Sequence, residues 1–156
     1  MYQKILIPLD GSELAECSLE HAIAMAQGCN TADVILLQVI EPFSTLTLSA
    51  LAEADDESLQ KVREQHLQEA KAYLSKVENR LKTQGIASRS VTVEGRAADE
   101  ILSYTENNNV DLIVLSTHGR SGLSRFFFGS VAEKVSRHSR VPVLLLAPEG
   151  CRNLAT

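Results

Sequence analysis

The stretch STHGRSGLSRFFFGS, residues 116–130, concentrates small, hydroxyl-bearing and basic residues in one segment. It runs into Ser130-Val-Ala-Glu133, which fits a capping box and predicts Ser130 as the N-cap of a helix. The first amides of a helix have no partners within the helix and lie at the positive end of its dipole, so they can donate to a phosphate. The stretch therefore predicts a phosphate site at a helix start.

Two glycines and two serines in this stretch would suit such a site. Gly119 and Gly129 carry no Cβ and would let the backbone approach a phosphate closely. Ser116 and Ser130 offer hydroxyl groups. A second interpretation stays open, because a glycine and a serine before a helix are also ordinary turn and cap residues.

The charge distribution favours a small anion as the ligand. The chain has a formal net charge of −5, which argues against nucleic-acid binding because that needs a basic face. Residues 116–140, in contrast, contain five basic residues and one acidic residue, with Arg120 and Arg125 inside the stretch. A local excess of positive charge in an acidic chain indicates an anion smaller than a nucleic acid.

The sequence lacks the motifs of several well-defined catalytic, nucleotide-binding and metal sites. The chain has no G-x-x-x-x-G-K-[ST], no G-x-S-x-G and no G-x-G-x-x-G after its first apolar run. It has no H-E-x-x-H, and its three cysteines form no C-x-x-C pair, so no metal site is predicted. We identify no catalytic residue.

Apolar runs and helical spacings predict five strands that alternate with four helices. The predicted strands cover residues 5–9, 34–40, 88–94, 110–115 and 141–147, and the predicted helices cover 13–28, 59–82, 97–107 and 131–138. This alternation is typical of an open, doubly wound α/β fold with a five-stranded parallel sheet and helices on both faces. Right-handed crossovers favour the strand order 3-2-1-4-5.

In that order, ligands bind in the crevice at the carboxyl ends of strands 1 and 4. The loops at residues 8–12 and 116–130 flank this crevice. We expect one domain over residues 1–148 and a short tail over 149–156. No apolar stretch is long enough to cross a bilayer and no signal peptide is evident, so we expect a cytoplasmic protein without a membrane partner.

Over essentially its whole length the chain resembles the universal stress protein family. Nucleotide-binding members carry a glycine, two residues, a glycine, nine residues, a glycine and a serine or threonine. Gly119, nine residues and Gly129-Ser130 reproduce most of this motif, and Ser116 stands in place of its first glycine. The resemblance implies a Rossmann-like fold of the adenine nucleotide alpha hydrolase type and a stress-response regulator that binds ATP, ADP or AMP.

The resemblance also implies a set of nucleotide-binding residues. Asp10 matches an acidic residue near the adenine and ribose, and the backbone of Val39 would meet the adenine. The full implied set is Pro8, Leu9, Asp10, Val39, Leu115, Ser116, His118, Gly119, Arg120, Gly129, Ser130 and Val131. Magnesium would be held by the phosphates and water and not by protein side chains. From the residues alone, Asp10 reads equally well as a turn or cap residue.

The last strand should lie at the edge of the sheet, and a long apolar edge invites pairing with another chain. In the family this strand pairs with its own copy, so the resemblance implies a homodimer and, beyond it, an unknown regulatory protein partner. The implied dimer edge is Val141, Val143, Leu144, Leu145 and Leu146. Two alternatives stay open: a slow ATPase, and a dimeric stress protein that does not bind nucleotide.

Overall fold

The computed structural model describes residues 1–42, 56–117 and 129–147, and these contain five strands and four helices. The strands are β1 (Lys4–Pro8), β2 (Asp33–Ile40), β3 (Ser88–Glu94), β4 (Leu112–Ser116) and β5 (Val143–Leu146). The helices are α1 (Glu13–Cys29), α2 (Asp56–Thr83), α3 (Ala97–Asn107) and α4 (Ser130–His138). In the described residues the strands and helices follow one another in the predicted order.

The five strands form one parallel sheet in the order β3-β2-β1-β4-β5, which confirms the predicted fold class. The chain winds outward from β1 to β2 and β3, then crosses to the other side of β1 for β4 and β5. The winding therefore reverses between β1 and β4, and a crevice opens at their carboxyl ends.

Each face of the sheet is covered by helices, because successive side chains of the central strands point to opposite faces and are apolar on both. Ile5 and Ile7 of β1 pack with α1 and α2, while Leu6 packs on the other face with α3 and α4. All three side chains are fully buried. This double burial explains the uninterrupted apolar runs in the sequence.

The helix ends agree with the sequence in one case and differ in another. Gly85 ends α2 with φ of 77°, as predicted, and its N–H donates to the Lys82 carbonyl over 3.0 Å. At α1 the prediction that Gly28 ends the helix is wrong. Asn30 adopts the left-handed conformation (φ 52°) there, and its N–H points to the last carbonyls of the helix.

β5 is the edge strand and is shorter than the predicted 141–147. The N–H of Val141 donates to the Ser139 hydroxyl over 3.2 Å, so Val141 belongs to the turn after α4 and the strand begins at Val143. Val141, Val143 and Leu145 are partly exposed and pack with the α3 and α4 face. Leu144 packs toward α1 and α2, and Leu146 is buried. Within the described residues, none of the helices is long and apolar enough to span a bilayer.

Candidate functional site

A cavity of about 750 Å³ opens at the carboxyl edge of the sheet, where β1, β2 and β4 end and α4 begins. Parallel strands bring their carboxyl ends to the same edge, so residues that are distant in the chain meet there. All nine of the predicted nucleotide-binding residues that the structure describes line this cavity: Pro8, Leu9, Asp10, Val39, Leu115, Ser116, Gly129, Ser130 and Val131. His118, Gly119 and Arg120 lie outside the described residues.

The start of α4 forms one end of the cavity. Gly129 is its N-cap, with φ of −57° and ψ of 146°, and among the described residues no side chain caps the helix. The prediction of Ser130 as the cap is therefore wrong by one residue, because the Gly129 carbonyl already accepts the first helical hydrogen bond, from the Glu133 N–H over 2.9 Å. Glu133 pairs with Arg137 instead of returning to the cap.

The starts of two other helices at this edge are already occupied by protein side chains. The Ser12 hydroxyl accepts from the Ala15 N–H at the start of α1, over 3.1 Å. The Glu41 carboxylate accepts from the Ala97 N–H at the start of α3, over 3.1 Å. In the described chain the start of α4 is the one of these three that offers its amides to the cavity without a side-chain cap.

Thr117 fixes the position of the α4 start, a role that sequence reasoning missed because its place between Ser116 and the loop is the only signal for it. It is 3% exposed and connects three elements. Its N–H donates to the Leu146 carbonyl of β5 over 2.9 Å, and its carbonyl accepts from the Gly129 N–H over 2.7 Å. A Cβ added to Gly129 would lie 3.0 Å from that carbonyl oxygen, so a glycine at this position allows the close approach.

Asp10 combines a place at the cavity with a turn contact. Its Oδ1 accepts from the Ser12 N–H over 2.9 Å and from the Ser12 hydroxyl over 2.6 Å. Ser12 in turn caps α1. The turn interpretation of Asp10 is therefore confirmed, while its place in the cavity wall keeps a binding role open.

The backbone of Val39 faces the cavity without a strand beside it. Peptide groups alternate direction along a strand, and the neighbouring Ile40 carbonyl accepts from Gly95 on the β3 side. Val39 therefore directs its N–H and C=O toward β1. The last hydrogen bond on that side joins the Leu9 N–H to the Leu37 carbonyl over 2.8 Å. In the described chain, one donor and one acceptor of Val39 are thus left for a ligand.

Helix α2 supplies a cavity wall that the sequence did not predict. His66, Glu69, Ala70 and Tyr73 line the cavity from this helix, and Gln38 of β2 lies on the same side. Burial and the nearby negative charges of Glu16 and Asp10 raise the pKa of Tyr73 well above its ordinary value, so its hydroxyl stays protonated. The formation of this wall depends on packing between segments that are distant in the chain, so no local sequence motif predicts it.

Charge is distributed unevenly around the cavity. Among the described lining residues the carboxylates are Asp10, Glu41 and Glu69, all at the end formed by β1, β2 and α2. The α4 end presents Gly129, the hydroxyl-bearing Ser130 and Thr117, and the positive end of the helix dipole. An anionic group therefore fits better at α4 than at the opposite wall.

Comparison with known proteins identifies the family. The model of the universal stress protein family matches residues 1–147. The chain belongs to this family. It is 35% identical over 148 residues to universal stress protein MJ0531 of Methanocaldococcus jannaschii, with 94% of this chain and 82% of that protein covered. The solved structure of the hypothetical protein MJ0577 matches with a TM-score of 0.80 and 31% identity, covering 94% of this chain and 96% of that one.

Two more distant family structures were solved with a nucleotide. A universal stress protein in complex with cAMP matches with a TM-score of 0.66 and 22% identity over 94% of this chain and 97% of its own. A family protein from Arabidopsis thaliana with AMP bound matches with a TM-score of 0.60 and 16% identity, over 93% and 91%. At these identities the two structures support the fold of this chain.

Proposed function

We propose that this universal stress protein binds an adenine nucleotide, with ATP and magnesium as the complex to test first, in the cavity between β1, β2, β4 and α4. The uncapped start of α4 at one end of that cavity is the observation that carries the proposal. Two neighbouring helix starts are capped by the side chains of Ser12 and Glu41, whereas none of the described side chains caps this one. A triphosphate supplies the negative charge that such a helix start favours.

The opposite end of the cavity suits the base. The Val39 peptide group offers one donor and one acceptor, which is the pattern that the N1 and N6 edge of adenine complements. The carboxylates of Asp10, Glu41 and Glu69 disfavour a phosphate there and leave the neutral base as the better occupant. The AMP and cAMP bound by two family members support an adenine nucleotide as the ligand class.

We propose that magnesium binds together with the phosphates of the nucleotide. The described residues contain no cluster of three His, Cys, Asp or Glu side chains that could hold a metal ion. A nucleotide-bound Mg²⁺ keeps several waters and needs few or no protein ligands, which is compatible with the hydroxyl groups at the α4 end. When bound, the ion would neutralise part of the phosphate charge.

We further propose a regulatory homodimer that pairs through β5. The partly exposed Val143, Leu144 and Leu145 and the edge position of the strand support this assembly. Through nucleotide binding the dimer would present a changed surface to a regulatory protein. The cytoplasmic location and the division into a domain over 1–148 and a tail over 149–156 remain predictions.

The first test asks what the protein carries and what it binds. Freshly purified protein is denatured and any released nucleotide is identified by chromatography, after which the emptied protein is titrated with ATP and magnesium by calorimetry. The same titration is run on Ser130→Glu, which places a carboxylate at the α4 start. We expect ATP affinity to fall about a hundredfold, because like charges within several Å repel by a few kcal/mol.

Ser136→Glu is the matched control, since Ser136 lies on the last turn of the same helix and away from the cavity. It should leave ATP affinity unchanged. The effects on the free energy of unfolding should be opposite, with Ser130→Glu stabilising and Ser136→Glu destabilising by about 0.3–1 kcal/mol through the helix dipole. Wild-type protein that releases no nucleotide and gives no heat would reject the function. Equal affinities of both variants would reject this placement of the phosphates.

A further inference from the structure

Two buried side-chain polar atoms in the described chain, His21 Nε2 and Gln38 Oε1, have no hydrogen-bond partner, whereas the Tyr73 hydroxyl lies beside the Glu16 carboxylate. Gln38 and Tyr73 line the cavity, whereas His21 does not. A buried polar atom without a partner destabilises a protein, because it has lost its hydrogen bonds to water. The unpartnered Gln38 oxygen in the cavity wall indicates that a ligand completes its hydrogen bonding.

The position of Gln38 places its side chain near the base end of the cavity. Gln38 directly precedes Val39 in β2, and successive side chains of a strand point to opposite faces. Val39 packs with the α3 and α4 face, so the Gln38 side chain leaves the sheet on the face of α1 and α2. Tyr73, which packs on that same face, lines the same cavity.

The Gln38 amide is not engaged elsewhere in the described structure, since neither its oxygen nor its NH₂ group makes a hydrogen bond to a described residue. Its terminal torsion has a broad, roughly two-fold preference, so the amide can turn toward the cavity without breaking a bond. A carboxamide presents one acceptor and two donors in one plane. A complementary ligand edge therefore places an N–H donor beside an acceptor.

The exocyclic amine and N7 of adenine form such an edge, and glutamine pairs with both in protein–DNA complexes. Guanine presents O6 and N7, two acceptors, so the Gln38 oxygen would stay without a partner. The peptide group of Val39 would use the other hydrogen of the amine together with N1, so the two contacts do not compete.

We propose that Gln38 is a specificity-determining residue that binds the amine and N7 of adenine and selects adenine over guanine nucleotides. This inference rests on the proposed nucleotide-binding function. It predicts that the side chain contributes most to affinity when the ligand carries both the adenine amine and N7.

The test compares wild-type protein with Gln38→Leu by calorimetry, using ATP, the purine ribonucleoside triphosphate that lacks the amine, and 7-deaza-ATP, which lacks N7. Gln38→Leu should lower ATP affinity about tenfold, within the range of a bidentate glutamine–adenine pair. It should lower the affinity of the amine-free analogue, which keeps N7, by clearly less than it lowers the affinity of ATP. Wild-type protein should bind 7-deaza-ATP several-fold more weakly than ATP, and this difference should vanish in the variant.

Gln27→Leu is the control for the substitution itself, because Gln27 is exposed on α1 and does not line the cavity. It should not change any of the affinities. Thermal unfolding without ligand gives a second measurement, in which Gln38→Leu should be at least as stable as wild type because an unpaired buried acceptor is removed.

The outcomes separate the two proposals. If wild-type protein binds none of the nucleotides, the proposed function fails and this inference fails with it. If wild-type protein binds ATP but Gln38→Leu weakens ATP and the amine-free analogue equally, Gln38 only shapes the cavity. Unchanged ATP affinity in the variant would likewise overturn the specificity role while leaving the proposed function intact.

Discussion

The two ends of the cavity present different kinds of groups to a ligand. At the α4 end the donors are backbone amides, fixed by a helix start that Thr117 anchors to β5. At the β2 end the groups are the peptide group of Val39 and the carboxamide of Gln38, next to a cavity wall that α2 forms. The α4 end thus recognises charge, whereas the β2 end recognises the arrangement of donors and acceptors.

This difference gives the cavity a direction. A helix start stabilises nearby negative charge, while the carboxylates at the other end oppose it. Asp10 and Glu41 at the β2 end are, however, already used by the protein, Asp10 for the Ser12 turn and Glu41 for the start of α3. Substitution of Asp10 should therefore lower the free energy of unfolding as well as ATP affinity, whereas Ser130→Glu at the α4 end should lower ATP affinity while it stabilises the fold.

The largest effect on stability is expected at Asp10. Asp10→Ala removes the acceptor for the Ser12 N–H and hydroxyl, and the loosened Ser12 caps α1 less well. We expect the free energy of unfolding, measured by urea denaturation, to fall by about 2 kcal/mol. Asp10→Asn keeps an oxygen at Oδ1 and should lose less than half as much.

The same pair of variants tests whether Asp10 also binds the nucleotide. Asp10→Asn replaces a charged acceptor by a neutral one, so its ATP affinity should fall about tenfold if the carboxylate contacts the ribose. Unchanged ATP affinity in Asp10→Asn would leave Asp10 as a turn residue only. Equal stability losses in the two variants would contradict the turn contact.

A smaller effect is expected when the same substitution is made at two glycines. In Gly129→Ala the added Cβ would lie 3.0 Å from the Thr117 carbonyl oxygen, whereas in Gly28→Ala, on α1, it meets no atom within 4 Å. Both changes restrict the unfolded chain equally, so their difference reports the folded state. We expect Gly129→Ala to lose about 1 kcal/mol and to bind ATP more weakly.

Gly28→Ala should gain about 0.5 kcal/mol, because alanine is the better helix former, and should bind ATP like wild type. Urea denaturation and calorimetry of both proteins measure these differences. Identical behaviour of the two variants would show that the α4 start is not tightly packed against Thr117 and would remove the basis for contrasting the two ends of the cavity.

The two ends of the cavity also differ in how many of their residues could be predicted from the sequence. The predicted ranges for β3 and α3 coincide with the structure because alternation and helical spacing are local signals. The α4 end is encoded in one short stretch, and only the cap was placed one residue late, since Gly129 and Ser130 are both acceptable caps. Gln38 and Tyr73 belong to segments far apart in the chain. Their placement in one cavity depends on tertiary packing, which a local sequence pattern does not predict.

The smallest expected effect comes from Tyr73 and concerns pH. Burial, followed by the charge of Glu16, raises the pKa of its hydroxyl above the ordinary value of about 10. The folded protein therefore keeps this proton where the unfolded chain releases it, and stability must fall as the pH rises above about 10. For one proton the slope is at most about 1.4 kcal/mol per pH unit.

Tyr73→Phe removes this titration, so its stability should decline less steeply than that of wild type between pH 9.5 and 10.5, with a difference below about 1 kcal/mol at the upper limit. Urea denaturation of both proteins across this range measures the difference, and Tyr2→Phe corrects for tyrosine loss in general. Parallel curves for wild type and Tyr73→Phe would mean that water reaches the hydroxyl. In that case the β2 end of the cavity would be hydrated. The unpaired Gln38 oxygen in the same cavity wall could then bond to water and would need no ligand to complete its hydrogen bonds.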